Sequence, residues 1–293
     1  MTIIDAITTD YLTDEPMSRH TSFKIGGKAD ILAFPSNTDT LVKLYKLCQE
    51  NGIPITILGD GTNVLVSDDG IRGVVVFTNK MNEITIRGNK IHAQSGVRLS
   101  ALTQAACEAG LDGLVFASGI PGTVGGAIYM NAGAYDHDIS EVCEAVTLFE
   151  QDKIVTKTNA EMLFGYRKSY TQKGDVIILE AVFDLAHGDT EKIRQEMHEL
   201  NQKREESQPL EVYSAGSFFK RPEGNYAGKL IRESGLKGYS VGDAQISEKH
   251  AGFVINKGNA TAKDILSLMR HVQKTVYERF GVHLEPEVRL LGF

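Results

Sequence analysis

Five separated blocks of this chain hold the residue types that bind or transform a ligand. The longest is Ser118-Gly119-Ile120-Pro121-Gly122-Thr123-Val124-Gly125-Gly126-Ala127, which continues through Asn131 to Tyr135. No Asp, Glu, Lys, Arg or His occurs from Gly113 to Tyr135. A surface loop of that length normally carries charge, so the spacing predicts a buried backbone beside something large. Glycine admits positive φ and close approach of a ligand to the main chain. Successive N–H groups in such a loop form a concavity for phosphate oxygens. The same residues also suit a glycine-rich turn between two buried strands, and spacing leaves both readings open. The second block, Gly59-Asp60-Gly61-Thr62-Asn63, offers backbone donors plus two side-chain donors, or else a tight turn. It lacks the third glycine and the following helix of a dinucleotide fingerprint, and no P-loop Gly-Lys-Ser/Thr is present.

The other three blocks carry polar chemistry. Arg167 lies in Tyr166-Arg167-Lys168-Ser169. Its guanidinium has the fork geometry that holds a carboxylate, although an exposed arginine beside a turn has the same signature. Ser217 lies in Ala215-Gly216-Ser217-Phe218-Phe219-Lys220-Arg221, where the two phenylalanines would shelter its hydroxyl from water. It is not a Gly-x-Ser-x-Gly nucleophile elbow. Lys220 and Arg221 offer a point charge and a fork for phosphate, or are solvated surface charges. Glu285-Pro286-Glu287 closes the set. In a terminal strand His283 to Leu291, alternation puts Glu285, Glu287 and Arg289 on one face. The bland alternative is an edge strand, since Pro286 cannot donate to a ladder.

These blocks need elements to position them. Apolar periodicity predicts a helix from Thr38 to Asn51, with Leu41, Leu44, Tyr45 and Cys48 on one face. Short strands follow at Ile55–Leu58, Val64–Val66 and Val74–Phe77, and residues 23 to 34 also read as short strands. Residues 84 to 94 read as a hairpin with Gly88-Asn89 at its tip, and Ser100 to Glu108 as a helix. Strands are expected at Ala145–Phe149, Lys153–Lys157 and Val176–Leu185. Asp189 or Thr190 starts a helix that ends near Glu206. Thr261 and Asp264 have capping-box spacing and open a helix with Ile265, Leu268, Met269, Val272, Val276 and Phe280 on one face.

Composition narrows the classes. With 293 residues and 24% charged residues, the chain is expected to form about two globular domains. A net charge of −7 argues against a broad nucleic-acid surface. Glycines, Pro121 and Asn131 interrupt any apolar run of membrane-spanning length. The first sixteen residues contain four acids and no basic residue, unlike a secretory leader. Cys48, Cys107 and Cys143 are odd in number and far apart, which suits a reducing, cytoplasmic location. Neither they nor the eight histidines have metal-ligand spacing, so no metal is expected.

The five blocks, in this order, resemble the UDP-N-acetylenolpyruvoylglucosamine reductase family, from about Arg19-His20-Thr21-Ser22-Phe23 to Gly292. The resemblance implies an α+β fold. An FAD-binding domain of the p-cresol methylhydroxylase type, in two α+β subdomains split near residue 78, would occupy residues 1–190. A smaller α+β substrate-binding domain would occupy 191–293, its terminal strand returning toward the flavin. Gly59, Asp60, Gly61, Thr62 and Asn63, with Ser118 through Thr123 and Gly125 through Ala127, would hold noncovalent FAD. NADPH would be the reductant, and the substrate a UDP-sugar enolpyruvyl ether destined for peptidoglycan. Hydride would go to C3 of that ether. Arg167 and Glu287 would stabilise charge developing beside C2, and Ser217 would protonate C2. Glu287 is matched in preference to Glu285 because the family's acid directly precedes the strand's valine. Tyr166, Lys220 and Arg221 would contact substrate. Two departures stand out. Arg221 occupies a place where the family often has Asn, and only 49 residues separate Arg167 from Ser217. That interval is too short for the inserted tyrosine loop of one subclass, so the chain resembles the other.

Overall fold

The computed structural model describes residues 3–293, which divide into two units built from interleaved segments. Of the described residues, the first comprises 3–12, Ile31–Asp60 and Gly73–Arg204; the second Thr13–Asp30, Gly61–Arg72 and Glu205–Phe293. The chain is α+β throughout.

In the first unit, helix α1 (Thr38–Glu50) begins where Asn37 Oδ1 accepts the Thr40 N–H at 2.9 Å. This satisfies one of the donors that every helix start leaves unpaired. Leu41, Leu44 and Cys48 face inward, at the spacing of one helical stripe. They share a core with Val74 and Val76, whose strand pairs in parallel with Ile55–Leu58. A five-stranded antiparallel sheet follows, in the order Lys153–Thr158, Cys143–Glu150, Val176–Asp184, Lys90–Gln94, Ile84–Arg87. Its second core gathers Val146, Leu148, Ala181 and Phe183 with residues of helix α2 (Leu99–Glu108) and helix α3 (Val124–Met130). Phe149, Ile177 and Leu179 of the same sheet join the first core instead. The unit thus has two hydrophobic clusters. Helix α4 (Thr190–Ser207) starts where Asp189 Oδ1 accepts from Glu191 and Lys192, and of its residues Ile193 is buried.

The glycine stretch is not the turn between strands that spacing also allowed, because α3 lies inside it. Two adjacent glycines are poor helix formers, each about 1 kcal/mol worse than alanine. The Thr123 side chain nonetheless accepts from Gly126 N, and Val124, Ala127 and Ile128 are buried. Packing therefore overrides propensity.

The second unit centres on helix α5 (Ala227–Glu233), absent from the sequence reading, and helix α6 (Ala262–Phe280). Thr261 and Asp264 form the expected capping box, and Ile265, Leu268, Met269, Val272 and Val276 are buried against α5's Leu230 and Ile231. Phe280 stays 36% exposed, so the predicted stripe ends one turn early. A four-stranded sheet has the order Tyr213–Ser217, Phe253–Asn256, Ala244–Ile246, Ser240–Val241. Residues 23 to 27 do not form the expected strand. Lys24 and Gly26 take positive φ, while Phe23 and Ile25 turn into the core. The terminal strand is also shorter than expected. Arg289–Leu291 pairs in parallel with Val64–Val66, whereas Pro286 makes a single antiparallel bridge to Phe219. Proline has no N–H with which to extend that ladder.

Candidate active site

Within the first unit, Gly59 and Asp60 leave the strand Ile55–Leu58. A Cβ on Gly59 would overlap Thr123 Oγ1 and stand 3.2 Å from Thr123 Cβ. The glycine is therefore what lets the two loops touch. Asp60 accepts from Arg98 Nε at 3.0 Å, and Arg98 bridges Thr123. Around that bridge Val124 N donates to Val97 O, Gly125 N to Ser95 O, and Leu99 N to Gly122 O, at 2.8, 2.8 and 3.0 Å. Residues Ser95 to Leu99, which no sequence signal singled out, are thus the spine that aligns both loops.

These bonds revise the expected anion concavity. The N–H groups of Val124 and Gly125 are already committed to the spine. Gly125 is needed for packing, since its Cβ would stand 3.1 Å from Ser95 Cβ. Gly119 likewise lies against α4, where a Cβ would come within 2.6 Å of Asn201 Oδ1 and 2.9 Å of Arg204 Cδ. Burial lowers the tendency of the Arg204 guanidinium to stay protonated. Gly126 differs from its neighbours. A Cβ there would meet nothing nearer than Thr123 Oγ1 at 3.8 Å. Its face is open backbone at the junction of the two loops.

The far end of α3 carries Arg167. Gly165 and Lys168 exchange backbone hydrogen bonds of 3.0 Å each way, closing a tight hairpin with Arg167 at its apex. Arg167 itself has φ 55°. Its Nη2 donates to Gly133 O at 3.3 Å, and its guanidinium carbon lies 5.0 Å from the centre of the Tyr166 ring. A cation over an aromatic face is attracted by the ring's quadrupole.

The second unit carries the other half of the loop and the remaining polar residues. Gly61 has φ 62° and packs on His20 O, which a Cβ would approach to 2.7 Å. Ser22 ties this loop down, with its N–H to Gly61 O and its hydroxyl to Ser214 O at 2.7 Å. Asn63 Nδ2 donates to Glu287 O at 3.3 Å, and Arg289 N donates to Asn63 O at 3.0 Å. Ser217 ends the strand Tyr213–Ser217 after an irregularity in register. The next residue, Phe218, donates its N–H to Gly252 O and accepts from Glu287 N at 2.8 Å. Lys220 N donates to Glu285 O at 2.9 Å. Glu287 lies in the segment just before the strand Arg289–Leu291, and its bond to Phe218 O joins it to the residue that follows Ser217.

One expectation fails here. The two phenylalanines do not shelter Ser217. Phe218 and Phe219 are buried in the core, with Phe218 edge-on to Phe23, and Ser217 is exposed. The strand ends at Ser217, so both rings that follow it turn into the core while the serine stays outside. Lys220 Nζ pairs with Glu285 Oε2 at 3.2 Å. Arg221 stacks on Tyr226, its guanidinium carbon 4.3 Å from the ring centre. Arg167 belongs to the first unit, and Ser217, Glu287, Lys220 and Arg221 to the second.

Among the described residues, no helix is long and apolar enough to cross a membrane. Comparison with known proteins gives a consistent set of matches. Residues 29–158 match the FAD binding domain family, and residues 208–291 match the C-terminal domain of UDP-N-acetylenolpyruvoylglucosamine reductase. The chain is 52% identical over 280 residues to the UDP-N-acetylenolpyruvoylglucosamine reductase of Caldanaerobacter subterraneus subsp. tengcongensis, covering 95% of this chain and 93% of the relative. It is 50% identical over 284 residues to that of Clostridium perfringens strain SM101, covering 97% and 93%. The crystal structure of UDP-N-acetylenolpyruvylglucosamine reductase from Thermus caldophilus superimposes with a TM-score of 0.82 at 34% identity, covering 96% of this chain and 98% of that one.

Proposed function

This chain belongs to the UDP-N-acetylenolpyruvoylglucosamine reductase family, and on that premise we propose that it reduces the enolpyruvyl group of UDP-N-acetylglucosamine enolpyruvate with NADPH, through FAD. The product is UDP-N-acetylmuramate, a peptidoglycan precursor made in the cytoplasm. Residues 1–190 act as the FAD-binding domain and residues 191–293 as the substrate-binding domain. The family matches at 29–158 and 208–291 fall on either side of that boundary, whereas by compactness residues 13–30 and 61–72 go with the second unit and 191–204 with the first.

FAD fits the residues present. The open backbone face at Gly126, beside Thr123 and Gly59, is a place where a Cβ would enter free space rather than protein. Glycine there has no packing partner of its own to explain it, unlike Gly59, Gly119 and Gly125. Residues Gly59 to Asn63, Ser118 to Thr123 and Gly125 to Ala127 hold the cofactor noncovalently. When bound, the flavin supplies the two-electron chemistry, taking electrons from NADPH and passing them to the substrate double bond.

The chain's own residues manage charge and a proton. As the double bond is reduced, negative charge develops at C2 and spreads into the adjacent carboxylate. Arg167 stabilises it as a pre-placed cation, the kind of electrostatic help that needs no reorganisation during the step. Glu287 acts on the same charge, and Ser217 supplies the proton to C2. Tyr166, Lys220 and Arg221 contact the nucleotide sugar, with Lys220 held by Glu285 and Arg221 braced on Tyr226.

One observation carries this reading furthest. Glu287 N–H is bonded to the carbonyl of Phe218 while Glu287 O accepts from Asn63. The acid, the residue after the serine and the loop assigned to the cofactor are therefore tied together, by one main-chain bond and by the Asn63 side chain. The test is anaerobic: record the flavin spectrum, add NADPH, then add the enolpyruvyl nucleotide sugar. The flavin should bleach and then regain its colour with stoichiometric substrate. Reduced protein that ignores the enolpyruvyl compound and is reoxidised rapidly by oxygen would make it a flavin oxidase instead.

A further inference from the structure

Arg167 holds a left-handed backbone conformation, φ 55°. A residue with a side chain keeps that conformation only where its surroundings over-determine it. The hairpin bonds between Gly165 and Lys168 fix its two neighbours. Buried Asn131, at the C-terminal end of α3, donates Nδ2 to Gly165 O at 3.2 Å. The apex itself is held by a residue outside the hairpin. Gln172 Nε2 donates to Arg167 O at 3.1 Å and to Tyr129 O at 2.7 Å. Tyr129 is the penultimate residue of α3. The same Nε2 also lies 3.9 Å from Met130 Sδ, so the two N–H donors of the carboxamide serve the arginine and the end of the helix.

We propose that Gln172 is a positioning residue for Arg167: its carboxamide ties the Arg167 carbonyl to the end of α3, which fixes the direction in which the guanidinium leaves the hairpin. Helix α3 has seven residues, a rigid rod of roughly 10 Å at 1.5 Å per residue. Its first turn holds the Thr123–Gly126 block, and its last holds Tyr129, Asn131 and, just beyond, Gly133, which accepts from Arg167 Nη2. One short helix therefore sets the spacing between the loop assigned to the flavin and the cation assigned to the developing charge. The sequence does not signal this, because an isolated Gln within a short 3-10 helix, Tyr170–Lys173, has no signature. The inference rests on the assignment of Arg167 made above.

The test is a double-mutant cycle on the holoenzyme, with the two half-reactions followed by stopped-flow absorbance. Gln172→Met keeps the side chain's length and removes both donors. Gln172→Glu, of the same outline and without an N–H, carries the test should Met pack poorly. Reoxidation of reduced flavin by the enolpyruvyl substrate should fall about 10-fold, since misplacement of about 1 Å costs up to about 100-fold. The loss should appear in the limiting rate rather than in the half-saturating concentration. Flavin reduction by NADPH should be unchanged. Arg167→Ala should slow reoxidation further, and adding Gln172→Met to Arg167→Ala should cost nothing more, because the two act as one unit. In the apoprotein, hydrogen exchange at the Gly165 and Lys168 amides should quicken in Gln172→Met.

Different failures separate. If Arg167→Ala reoxidises like the wild type, the catalytic assignment falls and this inference with it. If Arg167→Ala is slow while Gln172→Met matches the wild type in reoxidation and exchange, only the positioning role is overturned. The positioning role also falls if Gln172→Met slows both half-reactions alike, or slows reoxidation by the same factor with Arg167 absent.

Discussion

Replacing Gly126 should separate cofactor binding from folding. Gly126 is the third residue of α3, has no positive φ, and would place a Cβ no nearer than 3.8 Å to any atom outside the helix's own backbone. Alanine therefore strains nothing in the protein itself. It should stabilise the apoprotein by about 0.5–1 kcal/mol, the gain from removing glycine's unfolded-state freedom in a helix. At roughly 2–4 °C per kcal/mol for a chain of this class, the apoprotein melt should rise by about 1–4 °C. Flavin affinity should move the other way. Forcing a methyl into a filled contact costs about 1–3 kcal/mol, or about 5- to 150-fold in Kd at 1.4 kcal/mol per decade. Valine, being branched, should lose more. The assay is a circular-dichroism melt of the apoprotein beside a titration of flavin fluorescence quenching. Gly59→Ala is the contrasting control, because its Cβ meets Thr123 Oγ1 and should lower the apoprotein melt. A Gly126→Val protein with wild-type flavin affinity would refute the assignment of this face to the cofactor.

Three further outcomes are expected. Ser217→Ala should leave NADPH reduction of the flavin near the wild-type rate and slow reoxidation by substrate by about 100-fold or more, with Cys at this position retaining more activity than Ala; equal slowing of both steps would assign Ser217 to shaping the pocket. Cys143 is buried and its thiol is pushed up to about 12, so iodoacetamide at pH 8 should label it only after unfolding, and rapid labelling of the native protein would contradict its placement. The hydrogen bond between His137 and Glu141 holds the imidazole above its ordinary value and the carboxyl below its own. Stability from the histidine is complete below its unfolded value of about 6.5 and is lost as pH rises through the raised folded value. Stability from Glu141 is complete above about 4.3 and is lost as pH falls through the lowered one. His137→Ala should therefore cost more in melting temperature at pH 6 than at pH 8.5, by an amount that shrinks with salt because both groups are exposed; a cost independent of pH would show the pair to be energetically silent.

Local rules written in the sequence settled the regular elements. The apolar stripe of Leu41, Leu44 and Cys48 set α1, and the Thr261–Asp264 box set α6, because caps and periodicity act within a few residues of themselves. The five polar and glycine-rich blocks were also legible, since residue types that bind phosphate or move protons are few. Tertiary structure decided what those blocks are for locally. Helix α3 forms across two glycines because Val124, Ala127 and Ile128 find a core and because Ser95 and Val97 take up its first N–H groups. Three of the glycines prove to be close-packing sites against Thr123, Ser95 and Arg204, and Gly126 alone of those four faces open space. Ser217 is exposed because its neighbours' rings are drawn into a core that includes Phe23, nearly two hundred residues away in the chain. Arg98 and Gln172 carried no signal at all. Each matters through a partner distant in sequence or through a strained carbonyl, and a hydrogen bond of that kind exists only once the chain has folded.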